Sequence, residues 1–325
     1  MKITICYITA RKQPMFKWFI ETLISQYPNE VVDDEILIID HFIDYDVNRE
    51  ENLKKLVNGR FEYTHISPKP SIWLGKYRKT SRNFYDGPNT RNTGFILCDT
   101  EYLVFVDDLT VLMPNWLQYH KRAAERKIIF SGAYDKVSDI VFNENKFQSY
   151  TAKNCDCRLI HQQSDDDINS WGGWAFGTNT GFPIEYVLKV NGYDEFLGAR
   201  RGGEDCNIGV RLENAGFKDK FFYNKNCLTI EDGELHYTGE NSIDELYAIR
   251  RWKGDVVKNH HIHDFLSKKY NEMEHEHLYK NGEYTTLDKN FNLQKERELY
   301  RNTKTFRMVD DVNFIDFDGE TIDKL

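Results

Sequence analysis

Two adjacent carboxylates, Asp107 and Asp108, stand where the apolar run Tyr102–Val106 stops. That run has the length and the β-branched and aromatic content of a strand buried on both faces. Ionised side chains at the end of such a strand are costly unless a cation or solvent meets them. Open α/β sheets bind ligands outside the carboxyl ends of their strands. An acid pair placed there points to a divalent metal and a phosphate-bearing ligand; a solvated strand-to-loop turn is the alternative.

A second acid pair, Glu204-Asp205, follows Gly202-Gly203 and opens a segment with Ile208 and Leu212 at i, i+4. That spacing is the buried stripe of a helix, so both acids fall at its N-terminus. Ordinary capping accounts for acids there, but paired glycines also let a ligand come close to the backbone. Arg91 and Asn92, in Thr90–Phe95, lie at another expected helix start. Backbone N–H groups and an arginine fork favour phosphate at such a place; a surface cap is the alternative. Trp171-Gly172-Gly173-Trp174, with Phe176, suits stacking on a sugar face with the backbone drawn close. A core aromatic cluster explains the same residues, and Asn179 and Thr180 could add hydrogen bonds.

The elements that must position these groups alternate between strand and helix. Lys2–Ile8, Glu35–Ile39 (closed by Asp40), Phe61–Ile66 and Tyr102–Val106 are expected strands. Met15–Gln26, Asn48–Val57, Thr90–Leu97 and Pro114–Arg126 are expected helices. Ile128–Ser131 and Ile140–Tyr150 are expected strands, and Phe182–Val190 and Glu204–Asn214 helices. The alternation predicts an α/β fold, a mostly parallel Rossmann-like sheet flanked by helices. The expected domain is 1–240, with halves at 1–110 and 111–240. Beyond it, 241–325 shifts toward His, Lys, Glu and Tyr and is expected to be a mainly helical extension.

In order along the chain, ITAR after the first strand, Asp40, TRNTGF and VFVDDLT resemble the nucleotide-sugar half of a family 2 glycosyltransferase with the GT-A fold. Gly202-Gly203-Glu204-Asp205, the helix ending RLENAGF and the upstream NGYDE resemble the acceptor-side motif of the same superfamily. The resemblance runs from about Lys2 to His236. It implies sugar transfer from a nucleotide-diphosphate sugar, UDP-linked by preference, to a hydroxyl of a saccharide or other acceptor, with inversion. It implies Mn2+ or Mg2+ at Asp107 and Asp108, with Asp108 as the first ligand and His236 as a further one. It implies a nucleoside pocket lined by Thr9, Ala10, Arg11 and Asp40, with Arg91 and Asn92 toward the diphosphate. It implies Asp205 as general base, with Glu204, Trp171, Gly173 and Trp174 holding the acceptor. The family pattern has an acid where this chain has Leu109.

The totals exclude some classes. A formal net charge of -9 argues against broad nucleic-acid binding, and no apolar stretch approaches the roughly 20 residues of a membrane span. The start reads as a strand rather than a signal peptide. The six scattered cysteines fit reduced thiols, so a cytoplasmic location is expected, with peripheral membrane contact open. Cys155 and Cys157 with His161 lack a second ligand pair for zinc. Asp165-Asp166-Asp167 has no strand before it and is expected to be a solvated loop. The basic loop from Lys69 to Arg82, with Trp73 and Tyr77, is expected to be a flexible donor-site lid. A phosphate-bearing acceptor, lipid or nucleic acid, would be its other use. Two further functions stay open. A nucleotidyltransferase would want a glycine-rich loop, which ITARKQP lacks. A non-catalytic nucleotide- or carbohydrate-binding protein would suit Leu109 in place of an acid.

Overall fold

The structure is a computed structural model that describes residues 1–27, 32–78, 85–144, 146–198, 204–233, 235, 279–280, 283–284 and 290–309. Its strands are β1 Thr4–Thr9, β2 Glu35–Asp40, β3 Tyr63–Ile66, β4 Tyr102–Asp107, β5 Thr110–Leu112, β6 Ile129–Asn143, β7 Lys146–Thr151, β8 Ile168–Asn169, β9 Thr180–Pro183 and β10 Phe221–Asp232, with a separate antiparallel pair, β11 Tyr279–Lys280 and β12 Glu283–Tyr284, in the C-terminal region. Its helices are α1 Phe16–Ile24, α2 Arg49–Val57, α3 Gly87–Leu97, α4 Trp116–Glu125, α5 Ile184–Lys189, α6 Glu204–Leu212 and α7 Leu293–Thr303.

One sheet runs β3-β2-β1-β4-β9-β6-β10-β5. The four strands β3, β2, β1 and β4 are parallel, as their helical crossovers demand. β9 lies antiparallel between β4 and β6, and β10 returns parallel to β6. Alternate residues of each central strand face opposite layers. Ile5 and Tyr7 pack with α1 and α4, while Cys6 and Ile8 pack with α3, α5 and α6. Both faces are therefore covered, which explains why β1 and β4 read as near-continuous apolar runs. The expected α/β class is the one observed.

Several boundaries differ from expectation for local reasons. α3 begins at Gly87, not Thr90: Asp86 caps it by accepting from Asn89 N, and Pro88 fits a first turn whose N–H needs no partner. The expected strand Ile140–Tyr150 straddles a hairpin, because β6 runs on to Asn143 and turns at left-handed Glu144 into β7. Phe182 belongs to β9, paired with Leu103, and helix α5 starts only after Pro183. β10 went unread because Asn224, Lys225 and Asn226 interrupt its apolar run where its register with β6 shifts.

α7 completes the layer over α3. Leu293 joins the same core, and Arg297 donates to the carbonyls of Phe95 and Cys98 at the α3 C-terminus. A cation is favoured there by the helix dipole. The other residues of 241–325 lie largely outside the described ones. No helix among the described residues is long and apolar enough to cross a membrane.

Candidate active site

β4 delivers Asp107 to the carboxyl end of the sheet, and the chain reverses at once into β5. The reversal uses Leu109 in the left-handed region, φ 61°, at a cost of about 1–2 kcal/mol for a residue with a Cβ. Burial holds it there: its side chain packs with Trp18, Val111, Val137 and Ile230. Leu109 is a core residue, 2% exposed.

The two carboxylates have different partners. Asp108 accepts from Arg11 Nε at 2.7 Å and from Thr9 Oγ1 at 3.0 Å, and Arg11 Nη1 reaches Leu235 O at 3.2 Å. Asp107 has one longer contact, Arg91 Nη2 at 3.4 Å. Its side chain is 34% exposed against 13% for Asp108. Burial of the carboxyl pushes the Asp107 pKa up, and Arg91 offsets part of the rise. Asp107 is thus the more open of the two carboxylates.

Arg91 sits one turn inside α3 and faces acids. Its Nη1 stands 3.9 Å from Glu204 Oε1 and its Nε 3.9 Å from Asp205 Oδ1. The guanidinium lies over the rings of Tyr193 (5.6 Å) and Phe105 (6.0 Å). Burial works against its charge, but Asp205 and Asp107 more than compensate and raise its pKa. Gly177 makes room for it: a Cβ there would fall 1.9 Å from Nη2. Arg91 Nε, Asp205 Oδ1 and Tyr193 Oη are buried with no hydrogen-bond partner among the described residues. Such atoms are rare in native interiors and cluster where a ligand or water belongs.

Two residues expected near the nucleotide are buried and hydrogen-bonded within the protein. Asn92 is buried and spends its amide on Tyr193 N, Tyr193 O and Glu195 Oε1, each at 2.8 Å. Asp40 is buried and accepts from Arg49 Nε (2.5 Å), Arg49 Nη2 (2.8 Å), Phe42 N (2.8 Å) and His65 Nε2 (3.2 Å). Burial pushes its pKa up, but the bonds from His65 and Arg49 win and hold it below the usual carboxylate range. Ala10 packs with Tyr85, Phe42 and Leu74 in a small apolar cluster beside the β1 and β2 ends. His41 bonds Thr90 Oγ1, and burial lowers its pKa to about 4, so it is neutral.

On the other side, α6 begins at Glu204 as expected; Gly202, Gly203 and His236 lie outside the described residues. The Gly172–Trp174 turn packs backbone to backbone on α6, since a Cβ on Gly172 would fall 2.2 Å from Gly209 C. Trp171 lays its indole across Gly173 and is half exposed. Gly173 O accepts from Cys206 Sγ at 3.6 Å, next to Asp205 in the chain. Trp174 is wedged between His161 and Tyr223. Buried Arg158, paired with Asp156, donates to Trp174 O at 2.7 Å and fixes this turn.

Other expectations change. Asn179 is core: it joins Trp116, His120, Ala133 O and Cys227 O, while Thr180 bonds Phe176 O. Lys69 is buried against Glu195 and Glu296, and Trp73 is fully buried, so this end of the basic loop is packed core. Asp167 is held by Arg122, Arg126 and Asn224 rather than solvated. Cys6, Cys98 and Cys227 are buried, but Cys155, Cys157 and Cys206 are exposed.

Sequence reasoning missed Tyr193, Gly177 and Glu231. Glu231 is buried on β10, level with Lys136 on β6 and Thr110 on β5. Burial raises its pKa to about 7, Lys136 pulls it back, and Asp107 and Asp108 add to the rise. A reading of β10 as a strand would have placed it beside the acid pair.

No three His, Cys, Asp or Glu side chains among the described residues stand together as a metal site. The oxygen donors here are carboxylates, Asp107 open and Asp108 restrained. That set suits a hard cation that keeps waters and takes its remaining ligands from a phosphate.

No protein-family model matches the sequence, and no curated protein does. Among solved structures the chain is similar to GalNAc-T7, in a crystal structure with UDP, GalNAc and Mn2+. The TM-score is 0.49 at 14% identity, over 71% of this chain and 44% of that one. It is also similar to S. aureus TarS, with a TM-score of 0.45 at 10% identity, over 83% of this chain and 44% of that one. Against TarS 1-349 it covers 72% of that chain. The chain thus spans less than half the length of GalNAc-T7 and of the longer TarS chain. The superpositions are loose, and no residue role or ligand passes from them to this chain.

Proposed function

We propose that this protein is an inverting GT-A glycosyltransferase that moves a sugar from a nucleotide-diphosphate sugar to an acceptor hydroxyl. The observation that carries the reading is the convergence of two distant acid motifs. Asp107 at the end of β4 and Glu204-Asp205 at the start of α6 meet around the single guanidinium of Arg91.

In this reading the donor diphosphate lies beyond the β1 and β4 ends, against Asp107 and the Thr9–Arg11 loop. A divalent cation, Mn2+ or Mg2+, held by Asp107 and Asp108 would neutralise charge on the departing diphosphate. Thr9 and Arg11 hold Asp108 in place. Arg91 Nε stands 3.9 Å from Asp205 Oδ1 and sets a positive charge beside the base. Asp205 takes the proton of the acceptor hydroxyl as its oxygen attacks the anomeric carbon opposite the leaving diphosphate. One such displacement inverts the anomeric configuration. Glu204 holds the acceptor, and the exposed face of Trp171 supports stacking of a saccharide ring, with Gly173 bringing backbone close. Trp174 supports that turn from beneath.

The test is transfer from UDP-, GDP- and TDP-sugars with Mn2+. Asp205→Asn should lower kcat about 100-fold or more, the usual contribution of general base catalysis. Asp107→Asn should weaken donor use more than Asp108→Glu does. Full activity in Asp205→Asn, or a product of retained configuration, overturns the role of Asp205.

A further inference from the structure

We propose that Arg49 is a positioning residue that sets the geometry of Arg11 and, through it, Asp108. Arg49 opens α2, on the far side of β1 from the acid pair, and is buried. Its guanidinium faces two ways. Toward β2 it grips Asp40 with Nε and Nη2, at 2.5 and 2.8 Å. Toward the loop after β1 it donates Nη2 to Arg11 O and Nη1 to Lys12 O, both at 2.7 Å. Phe16 covers it at 5.6 Å.

Residues 10–12 have left the β1 ladder, so their carbonyls need other donors. Arg49 supplies two, in the fixed fork that only a guanidinium offers. With that backbone pinned, the Arg11 side chain reaches Asp108 at 2.7 Å and Leu235 O at 3.2 Å. Asp40 serves as the counter-charge that aims Arg49, which explains why its carboxylate is fully spent on protein donors. The inference rests on the acid pair being a nucleotide-diphosphate site, but its structural half does not.

Arg49→Met alone would strand the buried Asp40 charge and threaten folding. Two other variants avoid this. Arg49→Met with Asp40→Asn removes both charges, and Arg49→Lys keeps Asp40 paired but cannot serve two carbonyls as well. Amide hydrogen exchange across residues 10–12 and calorimetric binding of UDP with MnCl2 are measured on the full chain. Both variants should fold, exchange faster at 10–12 than wild type, and bind UDP about 10- to 100-fold more weakly, the usual effect of losing an outer support. Wild-type exchange at 10–12 in both variants overturns the proposal, as does looser exchange with unchanged UDP affinity. A wild-type protein that does not bind UDP with MnCl2 overturns the donor reading instead, and the exchange data still decide the role of Arg49.

Discussion

Asp107 and Asp205 share one guanidinium: Arg91 Nη2 lies 3.4 Å from Asp107 Oδ1 while its Nε lies 3.9 Å from Asp205 Oδ1. One acid ends a strand of the first half of the chain, and the other begins a helix of the second. Neither contact is a short hydrogen bond, so the charge is divided rather than committed. A buried cation held this way links the end of β4 to the start of α6 without a direct bond between the acids.

Gly177 tests that coupling without touching an acid. A Cβ at Gly177 would fall 1.9 Å from Arg91 Nη2 and 2.3 Å from Cζ. Arg91 must then move, although its guanidinium is packed over the rings of Tyr193 and Phe105. Gly177→Ala should lower kcat/KM at least about tenfold, equivalent to about 1.4 kcal/mol. Overpacking should also cost about 1–3 kcal/mol of stability. Transfer kinetics beside a thermal melt check this; unchanged kinetics would mean that the guanidinium position is immaterial.

The sequence showed the first half of the sheet well, because β1, β2 and β4 are buried on both faces and read as apolar runs. It also showed both acid motifs, since strand ends and helix starts carry local signals. It could not show which acid pairs with which cation. Arg11 and Arg49 reach partners through tertiary packing, so Asp40 read as a ligand contact although its acceptor positions are filled by Arg49, His65 and Phe42 N. Buried Lys69 and Trp73 read as a lid because a basic, proline-rich stretch is usually a loop, and their burial depends on Glu195 and Glu296 far along the chain.

Leu109 invites the thought that restoring an acid would strengthen a metal site. Its side chain points into the cluster of Trp18, Val111, Val137 and Ile230, so Leu109→Asp would bury a charge among apolar groups. Leu109→Ala should cost about 2–4 kcal/mol by cavity formation, and Leu109→Asp at least as much. Urea denaturation measures both, and Mn2+ titration of Leu109→Asp should show no gain in affinity. A tighter metal site with intact stability would place the side chain at the ligand face instead.

Trp171 and Trp174 should separate by phenotype. Trp171 is half exposed and rests on Gly173, so Trp171→Ala should change stability by about 1 kcal/mol or less. If a sugar ring stacks there, acceptor KM should rise about 3- to 10-fold, matching the worth of an aromatic stacking contact. Trp174 is packed between His161 and Tyr223, so Trp174→Ala should lower the melting temperature more than Trp171→Ala does. Equal acceptor KM in wild type and Trp171→Ala would remove the stacking role.

Glu231 should make stability depend on pH near neutrality. Burial raises its pKa from 4.5 to about 7, with Lys136 offsetting and Asp107 and Asp108 adding to the rise. A carboxyl whose folded pKa is raised favours the folded state when protonated. Its contribution is fully present below the unfolded pKa of 4.5 and is lost as pH rises through about 7. At about 1.4 kcal/mol per pKa unit, the loss is at most about 3.5 kcal/mol. Glu231→Gln keeps the shape and never ionises, so it should be more stable than wild type at pH 8 and nearly equal to it at pH 4.5. Urea denaturation of both proteins at the two pH values gives the difference directly. A gap of the same size at both would show that Glu231 does not titrate in this window.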